Sequence, residues 1–128
     1  MRLLLDISIT LLEPRQVAGE GLRVVLLPFL AEANGPLFWG KTLQEGVDTQ
    51  FHYADGRVHL SARYLLEGRD GEQNACRLFI QNEGTDPLCC RPIICTDSRE
   101  LAFLQELPLL ARVQQGTKGL CVQIFAEE

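Results

Sequence analysis

Side chains that could do chemistry are concentrated between Val47 and Leu66, where polar and ionisable residues occur at every second position. They are Asp48, Gln50 and His52 before the dipeptide Asp55-Gly56, and His59, Ser61 and Arg63 after it. Residues two apart on a β-strand point to the same face, so each set would form a polar row. Such rows could bind a polar ligand or transfer protons.

The pairing between the two rows depends on the turn that joins them. Asp55-Gly56 is typical of a two-residue type I′ turn, whose central positions both need φ > 0. Counting outward from this turn predicts the cross-strand pairs Asp48–Arg63, Gln50–Ser61 and His52–His59. In one interpretation Arg63, oriented by Asp48, binds an anionic or carbonyl oxygen through its bidentate fork. In the other, the two residues form an exposed cross-strand ion pair.

A second turn at Asp70-Gly71 predicts the neighbours of this polar face. Counting outward from it places Arg63 opposite Leu78 and Ser61 opposite Ile80. Polar groups among apolar ones are typical of a ligand pocket rather than of a solvated exterior. The opposite face of the sheet is also mixed, and a one-residue slip would exchange the two faces, so both stay open as the interior.

Other catalytic and metal sites have weaker support in the sequence. The facing His52 and His59 could share a metal or act as acid and base, but no third ligand stands at a recognisable spacing. A triad of Ser61, His59 and Asp48 would lack a nucleophile elbow and an oxyanion hole. No glycine-rich loop precedes a helix, so we expect no nucleotide cofactor. Because a third ligand is missing, we expect no metal. The cysteines around Cys89-Cys90 are best interpreted as structural thiols.

The elements that would position these residues are short strands. Apolar segments alternate with turns rich in Gly, Pro, Asp and Asn along all 128 residues, a rhythm typical of antiparallel sandwiches and barrels. We predict a single domain over residues 1–128, an all-β antiparallel barrel of about eight to ten strands. Ser98 to Leu107 is the one helical candidate, with Ser98 as its cap, and it could equally be another strand leading to Pro108. If it is a helix, it would plug one mouth of the barrel.

Composition excludes several classes of protein. The formal net charge of −5 and the pI near 5.0 argue against nucleic-acid binding, which needs clustered basic residues. No apolar run approaches the roughly 18 to 20 residues of a membrane span, and no signal-peptide pattern is present, so we expect a soluble, cytoplasmic protein. Five cysteines in such a chain indicate reduced thiols.

Several short motifs resemble the domain-of-unknown-function 3237 family of small bacterial and fungal proteins. They are GPLFWG at 35–40, QEGVDTQ at 44–50, Asp55-Gly56, ARYLL at 62–66 and Asp70-Gly71. The opening LLLDISITLLEP and the closing FLQELPLLARVQQGTKGLCVQIFAEE resemble the family's outer strands. The resemblance thus spans most of the chain and is sharpest over its centre.

This resemblance implies one β-barrel with an interior cavity and no agreed activity. It singles out Asp48, Arg63, Tyr64 and Gly71 as positions that match the family pattern. Ser61 stands where the family often has an acidic residue, which puts an acid and base role there in doubt. The segment between Gly84 and Pro92 resembles a shortened version of the family's, and an aromatic residue is replaced near Phe103, which implies a smaller pocket.

Three functions remain open at this point. The first is a small-molecule-binding barrel for a small hydrophobic or anionic ligand. Its predicted binding residues are Asp48, Gln50, Ser61, Arg63 and Tyr64. The second is a cofactor-free enzyme, an isomerase, cyclase or hydrolase that uses acid and base residues of the pocket. The third is an oligomeric structural protein with a filled barrel. A homodimer is expected through the apolar face, where Phe51, Val58 and Leu60 would form the interface.

Overall fold

A computed structural model describes residues 1–116 and 119–127. Within them lie ten β-strands and one short 3-10 helix. The elements are β1 (Arg2–Leu11), β2 (Arg15–Gly19), β3 (Leu22–Pro36), β4 (Phe38–Thr42), β5 (Gly46–Tyr53), β6 (Val58–Asp70), β7 (Ala75–Gly84), β8 (Arg91–Thr96), the 3-10 helix Ala102–Gln105, β9 (Leu109–Gly116) and β10 (Gly119–Ala126). The sequence also predicts a turn at Thr117-Lys118-Gly119, and the first two of these residues lie outside the described ones.

The strands form one antiparallel sheet that closes into a barrel. Its order is β8-β7-β6-β4-β3-β1-β10-β9, and β5 lies beside β4 in the space between β3 and β6. Closure comes from Cys90 just before β8, whose N–H donates to the Ala111 carbonyl at 3.0 Å while the Ala111 N–H donates back at 2.9 Å. The all-β antiparallel barrel predicted from the sequence is confirmed.

One end of the barrel is solidly filled. Its fully buried side chains include Leu4, Leu5, Phe38, Leu66, Leu78 and Ile124. The segment between β8 and β9 crosses this end and contributes Leu101 and Leu104, which are 0% and 1% exposed. Hydrophobic burial on this scale closes the end to solvent.

The predicted helix over Ser98 to Leu107 is much shorter in the structure. Only Ala102–Gln105 is helical, as a 3-10 turn. Ser98 does accept a hydrogen bond from the Leu101 N–H at 3.2 Å, and its hydroxyl donates to Asp70 Oδ2 at 2.7 Å. The segment therefore plugs one mouth, as expected, but with a short 3-10 turn rather than with an α-helix.

The β5–β6 hairpin has a three-residue loop instead of the predicted two-residue turn. The Tyr53 N–H donates to the Arg57 carbonyl at 2.9 Å and the Gly56 N–H to the Tyr53 carbonyl at 3.0 Å. Gly56 has φ +92°, which is the left-handed conformation that the third loop residue adopts when a type I turn is followed by a β-bulge. The pairing is therefore Asp48 with Ala62 and Val47 with Arg63, and the predicted pairs are wrong by one residue.

The β6–β7 hairpin repeats this geometry. The Asp70 N–H donates to the Asn74 carbonyl at 3.1 Å, and Gln73 has φ +68°. Ser61 consequently faces Glu83 and Arg63 faces Gln81, so the predicted pairs with Ile80 and Leu78 are also wrong. Each loop has three residues instead of the predicted two. The change from an even to an odd loop places the side chains of the second strand on the opposite face of the sheet relative to those of the first strand.

Two further properties bear on the class of protein. Among the described residues, no helix has the length and apolar character needed to cross a membrane. All five cysteines are free thiols in this structure.

Close packing of β4 against β6 gives a first prediction. Gly40 pairs with Gly68, and a Cβ on Gly68 would lie 1.9 Å from the Trp39 carbonyl oxygen. We expect Gly68→Ala to lower the free energy of unfolding by about 2–3 kcal/mol or more, because backbone must move. Gly19→Ala is the matched control, since its Cβ would meet nothing closer than 3.4 Å, and it should cost no more than about 0.5 kcal/mol. Urea unfolding measures both, and equal losses would contradict the packing.

Candidate functional site

A cavity of about 390 Å³ occupies the end of the barrel opposite the filled one. Its wall is mostly aliphatic, formed by Ile9, Leu11, Leu27, Phe29, Val58, Leu60, Ala62, Val113, Leu120 and Val122. The polar residues that line it are Asp48, Gln50, Tyr64, Asn82, Thr85 and Cys90. A few polar groups among many apolar ones, in this volume range, are characteristic of small-molecule sites.

The floor of the cavity depends on Gly46. Phe29 and Tyr64 meet edge to face there, with ring centroids 5.1 Å apart. A Cβ on Gly46 would lie 2.7 Å from Phe29 Cζ and 2.7 Å from Tyr64 Cβ. Glycine at this position therefore leaves room for the two rings to meet.

Three polar side chains of β5 form a hydrogen-bonded chain. Gln50 Nε2 donates to Asp48 Oδ2 at 2.8 Å, and Gln50 Oε1 lies 3.0 Å from His52 Nε2. Because Oε1 can only accept, this arrangement needs the His52 proton on Nε2. The alternation of β5 puts all three residues on one face, so Gln50 holds Asp48 in a fixed orientation.

The carboxyl group of Asp48 has a raised pKa because it is partly buried in the cavity wall. Burial raises its pKa above the ordinary 3.8, and the Gln50 hydrogen bond and the nearby His52 oppose that rise to a smaller extent. Gln50 occupies one carboxyl oxygen only. No described residue in 1–116 or 119–127 donates a hydrogen bond to the other oxygen.

Two more polar atoms of the cavity lack partners. The Tyr64 hydroxyl and Asn82 Oδ1 are both buried and form no hydrogen bond with the described part of the chain. Tyr64 is 4% exposed and Asn82 is 6% exposed, and burial raises the pKa of Tyr64. An unpaired buried polar group costs free energy, so each of these atoms is an exception that the packing of the barrel does not explain.

The buried thiol of the cavity is a poor nucleophile. Burial, reinforced by Asp48 and Asp86, raises the pKa of Cys90 to about 11. Its Sγ instead donates to the Asp86 carbonyl at 3.2 Å. The thiol is thus neutral near pH 7. Its hydrogen bond to Asp86 stabilises the loop that closes the barrel.

The structure divides the predicted site between the two faces of the sheet. Asp48, Gln50 and Tyr64 line the cavity, whereas Ser61 and Arg63 line a groove on the outer surface. The register explains this division. Asp48 pairs with Ala62, and the two residues that flank Ala62 on β6, Ser61 and Arg63, point to the outer surface. The predicted interior position of Arg63 beside Asp48 is therefore wrong, as is their interpretation as a cross-strand pair.

The polar groups of the outer groove are largely satisfied by one another. Glu83 Oε1 accepts hydrogen bonds from Ser61 Oγ at 3.2 Å and from Gln81 Nε2 at 3.0 Å. The other carboxyl oxygen of Glu83 lies 3.9 Å from His59 Nε2. Since these groups have partners, the groove has less need of a ligand than the cavity does.

The two histidines do not face each other. His52 pairs with Val58 and His59 with Phe51, so the two rings lie on opposite faces and cannot share a metal. The same register separates Asp48 from His59 and Ser61 and so rules out the triad. Across the described ranges, no cluster of three His, Cys, Asp or Glu residues is placed to hold a metal ion.

Sequence reasoning missed the contribution of β7 to the cavity. Asn82 stands in an otherwise alternating strand, and the predicted register placed it near the turn opposite His59. Its position in the row Asp48–Ala62–Asn82, across three neighbouring strands, follows only from the true loop lengths. The apolar face expected to form a dimer is also divided, because Val58 and Leu60 line the cavity while Phe51 lies in the outer groove.

The chain has a detectable curated relative. A UPF0311 protein from Clostridium acetobutylicum is 33% identical over 82 residues, which make up 62% of this chain and 49% of that protein. The match thus spans about half the length of the relative. No model of a protein family matches the chain, and the resemblance to the domain-of-unknown-function 3237 family stays a prediction.

Solved structures share the fold over nearly the whole chain. A protein with unknown function from Clostridium acetobutylicum has a TM-score of 0.79 at 21% identity, covering 96% of this chain and 93% of its own. A structure described as an enzyme from Penicillium herquei has a TM-score of 0.75 at 16% identity, covering 97% and 92%. A beta-barrel like protein from Acinetobacter baumannii has a TM-score of 0.77 at 15% identity, covering 98% and 93%. At these identities the likeness shows the fold alone.

The environment of Asp48 gives a second prediction. Because burial raises its pKa, the folded protein binds this proton more tightly than the unfolded chain does. The carboxyl therefore destabilises the fold progressively as pH rises from 3.8 through the folded pKa. We expect Asp48→Asn to raise the melting temperature at pH 7, with an advantage that shrinks as pH falls toward 4.

Asp55→Asn is the control of opposite sign. Asp55 accepts hydrogen bonds from Arg57 in the exposed turn, which lower its pKa. Replacing it should lower the melting temperature slightly at pH 7 or leave it unchanged. Differential scanning calorimetry between pH 4 and pH 8 measures both variants, and a less stable Asp48→Asn protein at pH 7 would contradict the account.

Proposed function

We propose that this protein binds a small, largely apolar molecule in the cavity at the open end of the barrel. The observation that carries the proposal is the pair of buried, unpartnered polar atoms in an apolar wall, the Tyr64 hydroxyl and Asn82 Oδ1. A filled structural barrel would gain stability by replacing both with apolar groups. A binding site keeps such atoms because they fix the orientation of its ligand.

The cavity is largely preformed, because both ends of the barrel are held in place. Burial at the filled end gives a rigid base, since Leu101 and Leu104 close it. The cavity is bordered on one side by Thr85 and Pro87. The Pro87 carbonyl accepts the Val113 N–H at 2.8 Å, which fixes the loop to β9. A largely preformed cavity of this kind loses little free energy in ordering on binding.

A second function, catalysis, is favoured by one observation. Asp48 combines a raised pKa, a free carboxyl oxygen and a fixed orientation from Gln50. A carboxyl group that is held in this way and has a raised pKa is a candidate general acid or base. The structural neighbour from Penicillium herquei is described as an enzyme, so this barrel fold is compatible with catalysis.

The binding proposal is tested with the uncharged fluorescent probe N-phenyl-1-naphthylamine. We expect the wild-type protein to bind one molecule of probe with an affinity on the order of micromolar. Ala62→Phe should weaken binding at least about tenfold, because Ala62 lines the cavity and the larger ring would occupy it. Fluorescence titration gives the affinity, and thermal unfolding confirms that the variant folds.

Arg63→Ala is the matched control for this experiment. Arg63 is the next residue of β6 and points into the outer groove, so its removal should change the affinity by less than about twofold. Equal losses in both variants, or a loss only in Arg63→Ala, would place binding in the groove. No binding to the wild type would contradict the proposal.

The catalytic alternative is tested by comparing wild type with Asp48→Asn. Each protein is incubated with a metabolite extract from the cells of its source, and compounds are followed by mass spectrometry. An enzyme that uses Asp48 should consume a compound that the variant leaves intact, while both proteins still bind the fluorescent probe. Equal consumption by both would exclude Asp48 as acid or base, and the binding proposal would stand alone.

A further inference from the structure

The chemistry of the cavity narrows the class of ligand, on the premise that the cavity is the binding site. We propose that the ligand is an uncharged, mostly apolar molecule that donates a hydrogen bond through a hydroxyl group. Two acceptors, Asp48 and Asn82, lie on either side of Ala62. Tyr64, whose hydroxyl group is unpaired, is two residues further along β6.

Geometry places these groups around one spot. Asp48, Ala62 and Asn82 are direct neighbours on three adjacent strands, and adjacent strands are about 4.8 Å apart. The two acceptors are therefore on the order of 10 Å apart between their Cα atoms, with only the methyl group of Ala62 between them. This small residue leaves room for a ligand hydroxyl to reach either acceptor.

The unpaired groups of the cavity call for a partner that can both donate and accept a hydrogen bond. Asn82 Oδ1 can only accept, and it has no partner in the described ranges. Asp48 has one oxygen engaged by Gln50, and the other accepts whenever the carboxyl is ionised. The Tyr64 hydroxyl can donate to the same ligand oxygen that donates to Asn82 or Asp48, so one hydroxyl satisfies both kinds of group.

An anionic ligand does not fit this cavity. None of the described residues that line it is Lys, Arg or His. Arg63, expected from the sequence to bind an anion, is on the outer surface. A carboxylate or phosphate would lose its hydration without gaining a counter-ion, and Asp48 would repel it.

A cationic ligand is also disfavoured. An ammonium group beside Asp48 would have to shed its water in an aliphatic cavity, and the resulting buried ion pair rarely recovers that cost. Gln50 already donates to Asp48. A neutral hydroxyl meets the remaining hydrogen-bonding demand without this desolvation.

Four matched probes test the inference by isothermal titration calorimetry at pH 7.5. They share the naphthalene ring and differ in one group: 2-naphthalenemethanol, its methyl ether, 2-naphthoate and 2-naphthylmethylammonium. We expect the alcohol to bind about tenfold more tightly than the ether, which accepts but cannot donate, because one neutral hydrogen bond is lost. The anion and the cation should both bind more weakly than the alcohol.

The other outcomes separate this inference from the proposed function. Equal affinities for alcohol and ether, or tighter binding of the anion or the cation, would overturn the ligand class while leaving binding in the cavity intact. Failure of all four probes while N-phenyl-1-naphthylamine still binds would overturn the ligand class alone, and failure of all five compounds to bind would overturn both. Competition with N-phenyl-1-naphthylamine shows that the probes occupy the same site.

Two variants locate the hydrogen bond. Asn82→Leu and Tyr64→Phe keep the approximate shape of each side chain and remove its polar atom. Asn82→Leu removes an acceptor, so it should reduce the preference for alcohol over ether to about threefold or less, while the affinity for the ether stays within about twofold. Tyr64→Phe removes a donor that both probe oxygens can accept from, so it should weaken both probes alike and change the preference by less than about twofold. Ser61→Ala, in the outer groove, should leave both affinities unchanged. An unchanged preference in Asn82→Leu would contradict the assignment.

Discussion

The left-handed conformation of the last residue in two hairpin loops determines which side chains enter the barrel. Gly56 at φ +92° and Gln73 at φ +68° each complete a three-residue loop. A loop of this length sets the partners on the flanking strands, and the period of two along a strand then assigns every side chain to a face. Asp48 and Asn82 face inward on either side of Ala62 for that reason.

The two ends of the barrel divide stability from function. Close packing fills one end, where Leu101 and Leu104 complete the core and Ser98 anchors the crossing segment to Asp70. The other end keeps polar atoms without partners in an apolar wall. Such groups weaken the fold locally, and a barrel closed by main-chain hydrogen bonds tolerates them because its rigid end supplies the stability.

The sequence predicted the strands and the location of their turns, since alternating apolar residues and Asp-Gly pairs depend on local chemistry. It did not predict loop length, because Asp55-Gly56 suits a two-residue turn and the end of a three-residue turn equally well. That single residue moved Arg63 to the outside while Asp48, Gln50 and Tyr64 remained in the cavity. Strand β2 was missed because all five of its residues are exposed, which leaves no hydrophobic alternation to detect.

The central claim is that a small molecule binds inside the barrel, on the face that carries Asp48 and Ala62. The most direct measurement is isotope-filtered NMR of the labelled protein with 2-naphthalenemethanol, which reports protein protons within about 5 Å of the ligand. The account predicts contacts from the naphthalene ring to the methyl groups of Ala62, Leu120 and Val122. Contacts to Val47 and Thr49 instead would place the ligand in the outer groove and contradict the account.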